Sequence, residues 1–397
     1  MWWIAGLSIL LVWIGSDLYF GRKQAAAGRL YPRRNSHVTF YSSGPELFDQ
    51  LFAEMKQARH RILCEFYIVK DDQFSQSFFS LLKQKAQSGV EVYLLMDWLG
   101  SHKVKKPVLD DLKRSGVIAD FSSKPRFPFF FHSLHCRNHR KITVIDNRIG
   151  YIGGFNVGRE YVNQSPKPQL SPWRDFHLRF TGEGVQDIEE EFLADWNQEG
   201  RPSLEPSASY EKTQTQNAVE HRTMPSRNGE LEKKLISCIR QAKRSIFIGT
   251  PYFIPTKPVF DQLLNALERG VAITILLPGH ADHPLVKQAS YPYLRRLLDY
   301  ENVRVYFFEN GFFHAKIINF DDRIVDIGTA NFDQRSQLTN EECNCFIFST
   351  AFIKEQVKPV IEKDISQSQP ITRQKLQRLP ASERLKEQAA SVVRAFL

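Results

Sequence analysis

The segment 48–69, "FDQLFAEMKQARHRILCEFYIV", spaces its apolar residues as a helix does and then runs on as an unbroken apolar strand. The segment 230–254, "ELEKKLISCIRQAKRSIFIGTPYFI", repeats that order. Each is followed by an amphipathic helix that stops at a glycine, Gly89 or Gly270, and leads into a second buried strand, 78–97 in one case and 259–279 in the other. The same plan is executed twice, and its alternation predicts a parallel or mixed α/β sheet in each half.

Around this repeat the pattern changes. Residues 201–228 lose apolar periodicity and gather Pro, Ser, Thr, Gln and Asn, which reads as a linker. The domains expected are therefore a first half over 38–200, a second over 229–365, and a tail over 366–397. In the tail, Leu385, Ala389, Val392 and Phe396 share one face of a helix that starts after Pro380 with Ser382 as cap. That face is expected to pack against the domain, with a helix lying on a membrane as the alternative. At the other end, 2–20 contains Asp17 as its only charge and would be about 28 Å long as a helix, enough to span a bilayer. No Lys or Arg precedes it, unlike a cleaved signal, so 1–21 reads as one retained transmembrane anchor. The basic stretch 22–37 follows, and the positive-inside rule then places the remainder on the cytoplasmic side of a single-pass cell-membrane protein.

Composition narrows the chemistry. The 397 residues carry a net charge of +9, which points to an anionic partner: nucleic acid, lipid headgroups or a small phosphate. Five cysteines without zinc-type spacing argue against a disulfide framework and fit a reducing compartment.

The site is written in "HRKITVID" (139–146) and its recurrence "HAKIINFD" (314–321). Gly153 and Asn156 stand at the same offsets from His139 as Gly328 and Asn331 do from His314. On a strand, positions i and i+2 share a face, so His139 points with Lys141 and His314 with Lys316. Asp146 has the opposite parity and is expected to face away. Asp-Asn-Arg (146–148) and Asp-Asp-Arg (321–323) suit tight hairpin turns that bring Asn156 and Asn331 back beside the histidines. Two imidazoles, two ammonium groups and two carboxamides form a cage for a phosphodiester. Metal is disfavoured because each His has a Lys beside it and no second ligand on its face. Without metal, one neutral His can attack phosphorus while the other, protonated, serves the leaving oxygen.

These paired motifs, His-x-Lys-x4-Asp and then Gly and Asn, resemble the double signature of the phospholipase D superfamily over roughly residues 40 to 365. The resemblance implies an α/β fold of two pseudo-symmetric α/β/α sandwich halves, here preceded by one N-terminal transmembrane helix, with the site between the halves. It implies His139, Lys141, Asp146, His314, Lys316 and Asp321 as the catalytic motif residues, His139 as nucleophile, and Asn156 and Asn331 as substrate-binding. It also implies a carboxylate from the other half orienting each His, for which Asp175 and Glu341 or Glu342 are the candidates; no cofactor or metal is implied. "GGFNVGREY", "TPYFIP", "GFFHAK" and "NFDQRS" most resemble bacterial cardiolipin synthases of the short, single-anchor type. Phosphatidylglycerol would then be the substrate, the membrane the partner, and nucleic acid none. Phe127, Phe129, Phe130 and Phe131 precede the first motif as a ridge suited to acyl chains or to core packing. The alternatives are a phospholipase D with water as acceptor or a phosphatidylserine synthase with serine, and, as a competing class, a nucleic-acid phosphodiesterase using its basic surface as a track.

Overall fold

A computed structural model describes residues 2–24, 28–198, 201–207 and 218–393. Among them, fifteen strands make one continuous mixed sheet through both halves. From its outer edge the first half contributes Ile118–Ser122, Glu91–Asp97, Arg61–Phe66, Lys141–Ile145, Ile149–Gly153, His177–Gly182 and Arg34–Tyr41. The second mirrors that order from the middle outward: Val219–Ser226, Glu342–Ile347, Ile324–Gly328, Ile317–Phe320, Ser245–Gly249, Ala272–Pro278 and Val303–Phe308. Ser368–Ile371 is added at the far edge. In each half the three strands fed by helical crossovers are parallel and the hairpin strands after them antiparallel, as short connections require.

The halves are joined through the pairing of Arg34–Tyr41 with Val219–Ser226 and through a shared core. That core packs Ile142, Ile152 and Phe176 of the first half with Ile317, Ile327 and Cys343 of the second. Each half also has an apolar cluster of its own on the other side of the sheet. Burying apolar area from both halves in one cluster makes their relative placement part of the folding free energy.

Two boundary expectations change. Part of the linker expected at 201–228 lies outside the described residues, at 208–217, but Val219–Ser226 is a central strand. Its buried positions include His221 and Thr223, so the alternation along it is one of burial and not of hydrophobicity. The first half likewise opens at Arg34, inside the stretch read as juxtamembrane.

The helix Ala381–Val393 forms, but it packs by the opposite face from the one expected: Ala390 is buried, whereas Leu385 is 68% and Val392 81% exposed. Glu383 and Glu387 turn inward because Gln288 and Arg295 meet them there. Phe396 lies outside the described residues.

At the N-terminus, Trp2–Gln24 is helical, and among the described residues no helix is long and apolar enough to cross a membrane. The C-terminal part of this helix rests on the short helix Phe130–His135. Trp13 meets Phe131 at 4.8 Å between ring centroids, and the buried Asp17 carboxylate accepts the His132 backbone N–H at 2.7 Å.

Candidate active site

Each motif histidine is pinned by its backbone to the opposite half. His139 N–H donates to the Glu341 carbonyl at 2.8 Å, and Glu341 N–H donates to the Arg137 carbonyl at 2.9 Å. In the other half-site, His314 N–H donates to the Arg174 carbonyl at 2.7 Å, where Phe312–Phe313 pairs with Trp173–Arg174. Each contact sets the next residue of the partner segment against the imidazole. His139 Nδ1 lies 2.8 Å from Glu342 Oε2, and His314 Nδ1 lies 2.6 Å from Asp175 Oδ2. A carboxylate only accepts, so both Nδ1 atoms carry the proton and both Nε2 atoms hold the free lone pair.

The surroundings decide which charge states these groups keep. Burial lowers the His139 imidazole to about 4, with Glu342 opposing the shift and Lys141 adding to it. Burial likewise lowers His314, helped by Lys316, whose ammonium lies over the ring edge at 2.7 Å from Nδ1 and 3.2 Å from Nε2. Burial pushes Lys141 down to about 7 and lowers Lys316 as well. For Glu342, burial alone would raise the carboxyl, but His139, Lys141 and the Thr329 hydroxyl bring it down to about 2. Asp175 also sits below its ordinary range, since Lys316 and His314 outweigh its burial. The charge of Lys316 is felt at His139 and that of Glu342 at Lys316, so the two motifs form one electrostatic site.

The remaining motif residues divide. Asn156 Oδ1 accepts the Ile68 N–H at 3.0 Å, which fixes the carboxamide, while Asn331 Oδ1 is buried without a hydrogen-bond partner among the described residues. Asp146 and Asp321, expected among the catalytic set, stand outside the cage. Asp146 accepts the backbone N–H groups of Arg59, His60 and Arg61 at 2.7 to 2.9 Å, and Asp321 those of Lys243, Arg244 and Ser245 at 2.8 to 2.9 Å. Both occupy left-handed turn positions, Asp146 at φ 51° and Asp321 at φ 58°, and lock each hairpin to the helix–strand loop beside it. Glu341 is not the orienting carboxylate either; it faces Arg227 at 3.4 Å, because adjacent strand residues point to opposite sides.

Other site residues escaped the sequence reading. Thr329 and Ser336 donate their hydroxyls to Glu342 at 2.6 and 2.7 Å. The Tyr67 ring lies 4.7 Å from His139 and the Trp173 ring 4.9 Å from His314. Arg140 donates Nε–H to the Glu342 carbonyl at 3.1 Å while pairing with Asp195 and, at 2.9 Å, with Glu191, so a buried ion cluster braces the junction of the halves. Thr329 sits one residue past the motif glycine, the one signal that could have marked it. Beyond this cluster, a cleft of ≈ 1240 Å³ opens between the N-terminal helix and the ridge at Phe127 and Phe129, with Leu18 and Tyr19 on one wall and Arg29 and Arg126 among its charged lining.

Two half-sites, each completed by the other half's carboxylate, place this fold in the phospholipase D class. The chain belongs to the family described as "Cardiolipin synthase, PLD-like domain", which matches residues 51–167 and 235–364. It is 38% identical to the minor cardiolipin synthase ClsB of Bacillus subtilis, over 90% of this chain and 89% of that one. With cardiolipin synthase 1 of Staphylococcus aureus it shares 34% identity over 91% of this chain and 74% of the other. A phosphatidylserine synthase structure from Haemophilus influenzae shares the fold, with a TM-score of 0.71 at 16% identity over 92% of this chain and 97% of the other.

Proposed function

We propose that the protein is a cardiolipin synthase that transfers a phosphatidyl group from one phosphatidylglycerol to another and releases glycerol. The observation that carries this reading is the pair of Nδ1-clamped histidines, each presenting a free Nε2 to one cationic cage. His139 Nε2 attacks phosphorus, the bond from phosphorus to the glycerol oxygen breaks, and His314 gives its proton to that oxygen. The resulting phosphohistidine is then attacked by the terminal hydroxyl of a second phosphatidylglycerol, whose proton returns to His314. Two phosphatidylglycerols yield one cardiolipin and one glycerol, and both histidines are restored.

Lys141, Lys316, Asn156 and Asn331 hold the nonbridging oxygens, where preorganised donors act on developing charge in a site shielded from water. His139 is neutral at working pH and so is ready as nucleophile. Binding the phosphodiester anion offsets the Lys316 charge and lets His314 take up its proton. The aromatic ridge and its cleft suit acyl chains, and the N-terminal helix that rests on that ridge suits attachment to the membrane beside them, with the catalytic halves on the cytoplasmic side.

The test is mass spectrometry of lipid products after incubation with phosphatidylglycerol vesicles, beside a His139→Ala control. Cardiolipin and glycerol, absent in the control, are expected. Phosphatidic acid alone would make water the acceptor, and no product would refute phosphatidylglycerol as the donor.

A further inference from the structure

The helix Ala381–Val393 docks by its polar side. At 100° per residue, Glu383, Glu387 and Ala390 fall within an arc of about 60°, and Leu385, Ala389 and Val392 within a similar arc on the opposite side. The inward arc is the bonded one. Glu383 accepts from Gln288 Nε2 at 2.8 Å, Glu387 pairs with Arg295, and Ala390 packs with Ile254 and Val286. Among the described residues the apolar arc has no protein cover: Ala389 is exposed, as are Leu385 and Val392. Leaving this arc in water forgoes the burial that normally seats an amphipathic helix.

Charge indicates what covers it. Arg384 and Lys386 stand about 100° to either side of the Leu385 direction, at the two borders of the apolar arc, Lys386 also pairing with Glu383 at 2.8 Å while staying half exposed. The connection before the helix adds Arg373, Lys375 and Arg378, all exposed. The acidic residues of the helix, Glu383 and Glu387, are those turned inward. An apolar stripe bordered by long cationic side chains, with its carboxylates withdrawn, is the arrangement of a helix lying in the headgroup plane of an anionic bilayer.

Its position ties it to the site. Ile254, on which Ala390 packs, pairs with Asp333 in the short two-stranded ladder that begins one residue after Asn331. We propose that the outward face of Ala381–Val393 is a membrane-surface contact for anionic phospholipid, laying the corner of the second half next to Asn331 on the lipid headgroups. The proposal rests on the reading that the substrate is an anionic phospholipid, and it adds an attachment independent of the N-terminal segment.

The experiment uses the full chain with Ala389→Cys carrying an environment-sensitive nitrobenzoxadiazole probe, added to vesicles of phosphatidylcholine alone or with phosphatidylglycerol. Protein with only its native cysteines is labelled in parallel for subtraction. A blue shift and severalfold brightening with phosphatidylglycerol vesicles are expected, and Leu385→Asp with Val392→Asp should abolish them while leaving turnover of micellar short-chain phosphatidylglycerol unchanged. Aqueous emission in both vesicle types overturns the contact. So does a shift that appears without vesicles and grows with protein concentration, which would assign the face to a second copy of the chain. An unshifted probe on a protein that still makes cardiolipin removes the contact alone; a shifted probe without turnover removes the activity alone.

Discussion

The two half-sites share one plan and differ in how the orienting carboxylate is held. Glu342 accepts from His139 and from the hydroxyls of Thr329 and Ser336, a set of side-chain donors from its own half. Asp175 accepts the backbone N–H of Phe176 at 2.8 Å and has Lys316 at 3.5 Å, beside the His314 contact. His139 thus leans on a carboxylate fixed by neutral hydroxyls, whereas His314 shares its carboxylate with an ammonium group. A fixed neutral imidazole suits a nucleophile, and an imidazole whose proton affinity depends on a neighbouring cation suits a group that must gain and lose a proton.

The strongest way to break this comparison is to remove each histidine in turn. His139→Ala and His314→Ala should each lower turnover by about 10³-fold or more. They should differ in what accumulates: the His314 variant should trap a phosphatidyl adduct on His139, read by intact-protein mass spectrometry and peptide mapping. An adduct on His314 in the His139 variant would reverse the assignment. Next in size, Glu342→Gln and Asp175→Asn should each cost about 10²-fold by loosening imidazole orientation, with burst kinetics placing the Glu342→Gln loss mainly in adduct formation, where His139 attacks, and the Asp175→Asn loss in formation and breakdown alike, where His314 gives and takes the proton. Smaller again, Thr329→Val removes one hydrogen bond to a carboxylate, a loss of about 1.5–3 kcal/mol, and should lower turnover about tenfold with little change in KM. An equal loss in both kinetic steps would show that Glu342 does not serve His139 selectively.

Much of this site was legible because its residues recur at fixed offsets in two copies. Strand parity correctly turned Asp146 away from the cage, although the motif carried it into the catalytic set. Parity could not choose between Glu341 and Glu342, because the sequence does not say which face of Glu342–Ile347 meets His139. The strand Val219–Ser226 was hidden for a related reason: the Nε2 of its buried His221 meets the Ser36 hydroxyl at 2.9 Å, a contact across 185 residues that no local pattern announces. The tail helix was read correctly as a helix and wrongly as to its face. Inward glutamates are stable only beside Gln288 and Arg295, and those partners belong to a different helix.

The last contrast lies beneath the motif glycines. Gly153 pairs with His177 in the first half, and Gly328 pairs with Asn344 in the second, where Asn344 Nδ2 donates to the buried Asp326 carboxylate at 2.9 Å. Burial pushes His177 down to about 3 and Asp326 up to about 7, so these two groups couple stability to pH with opposite sign. For His177, the unfolded chain binds a proton below about 6.5 that the folded chain refuses, and stability falls as pH drops from there toward 3. For Asp326, the unfolded chain loses its proton above about 3.9 while the folded chain keeps it, and stability falls as pH rises from about 4 to 7. Each slope is about 1.4 kcal/mol per pH unit within its window. Denaturant unfolding across pH 4 to 7 should therefore show His177→Asn removing stability gained with rising pH and Asp326→Asn removing stability lost with it. Parallel shifts in both variants would mean that His177 and Asp326 do not couple stability to pH with opposite sign.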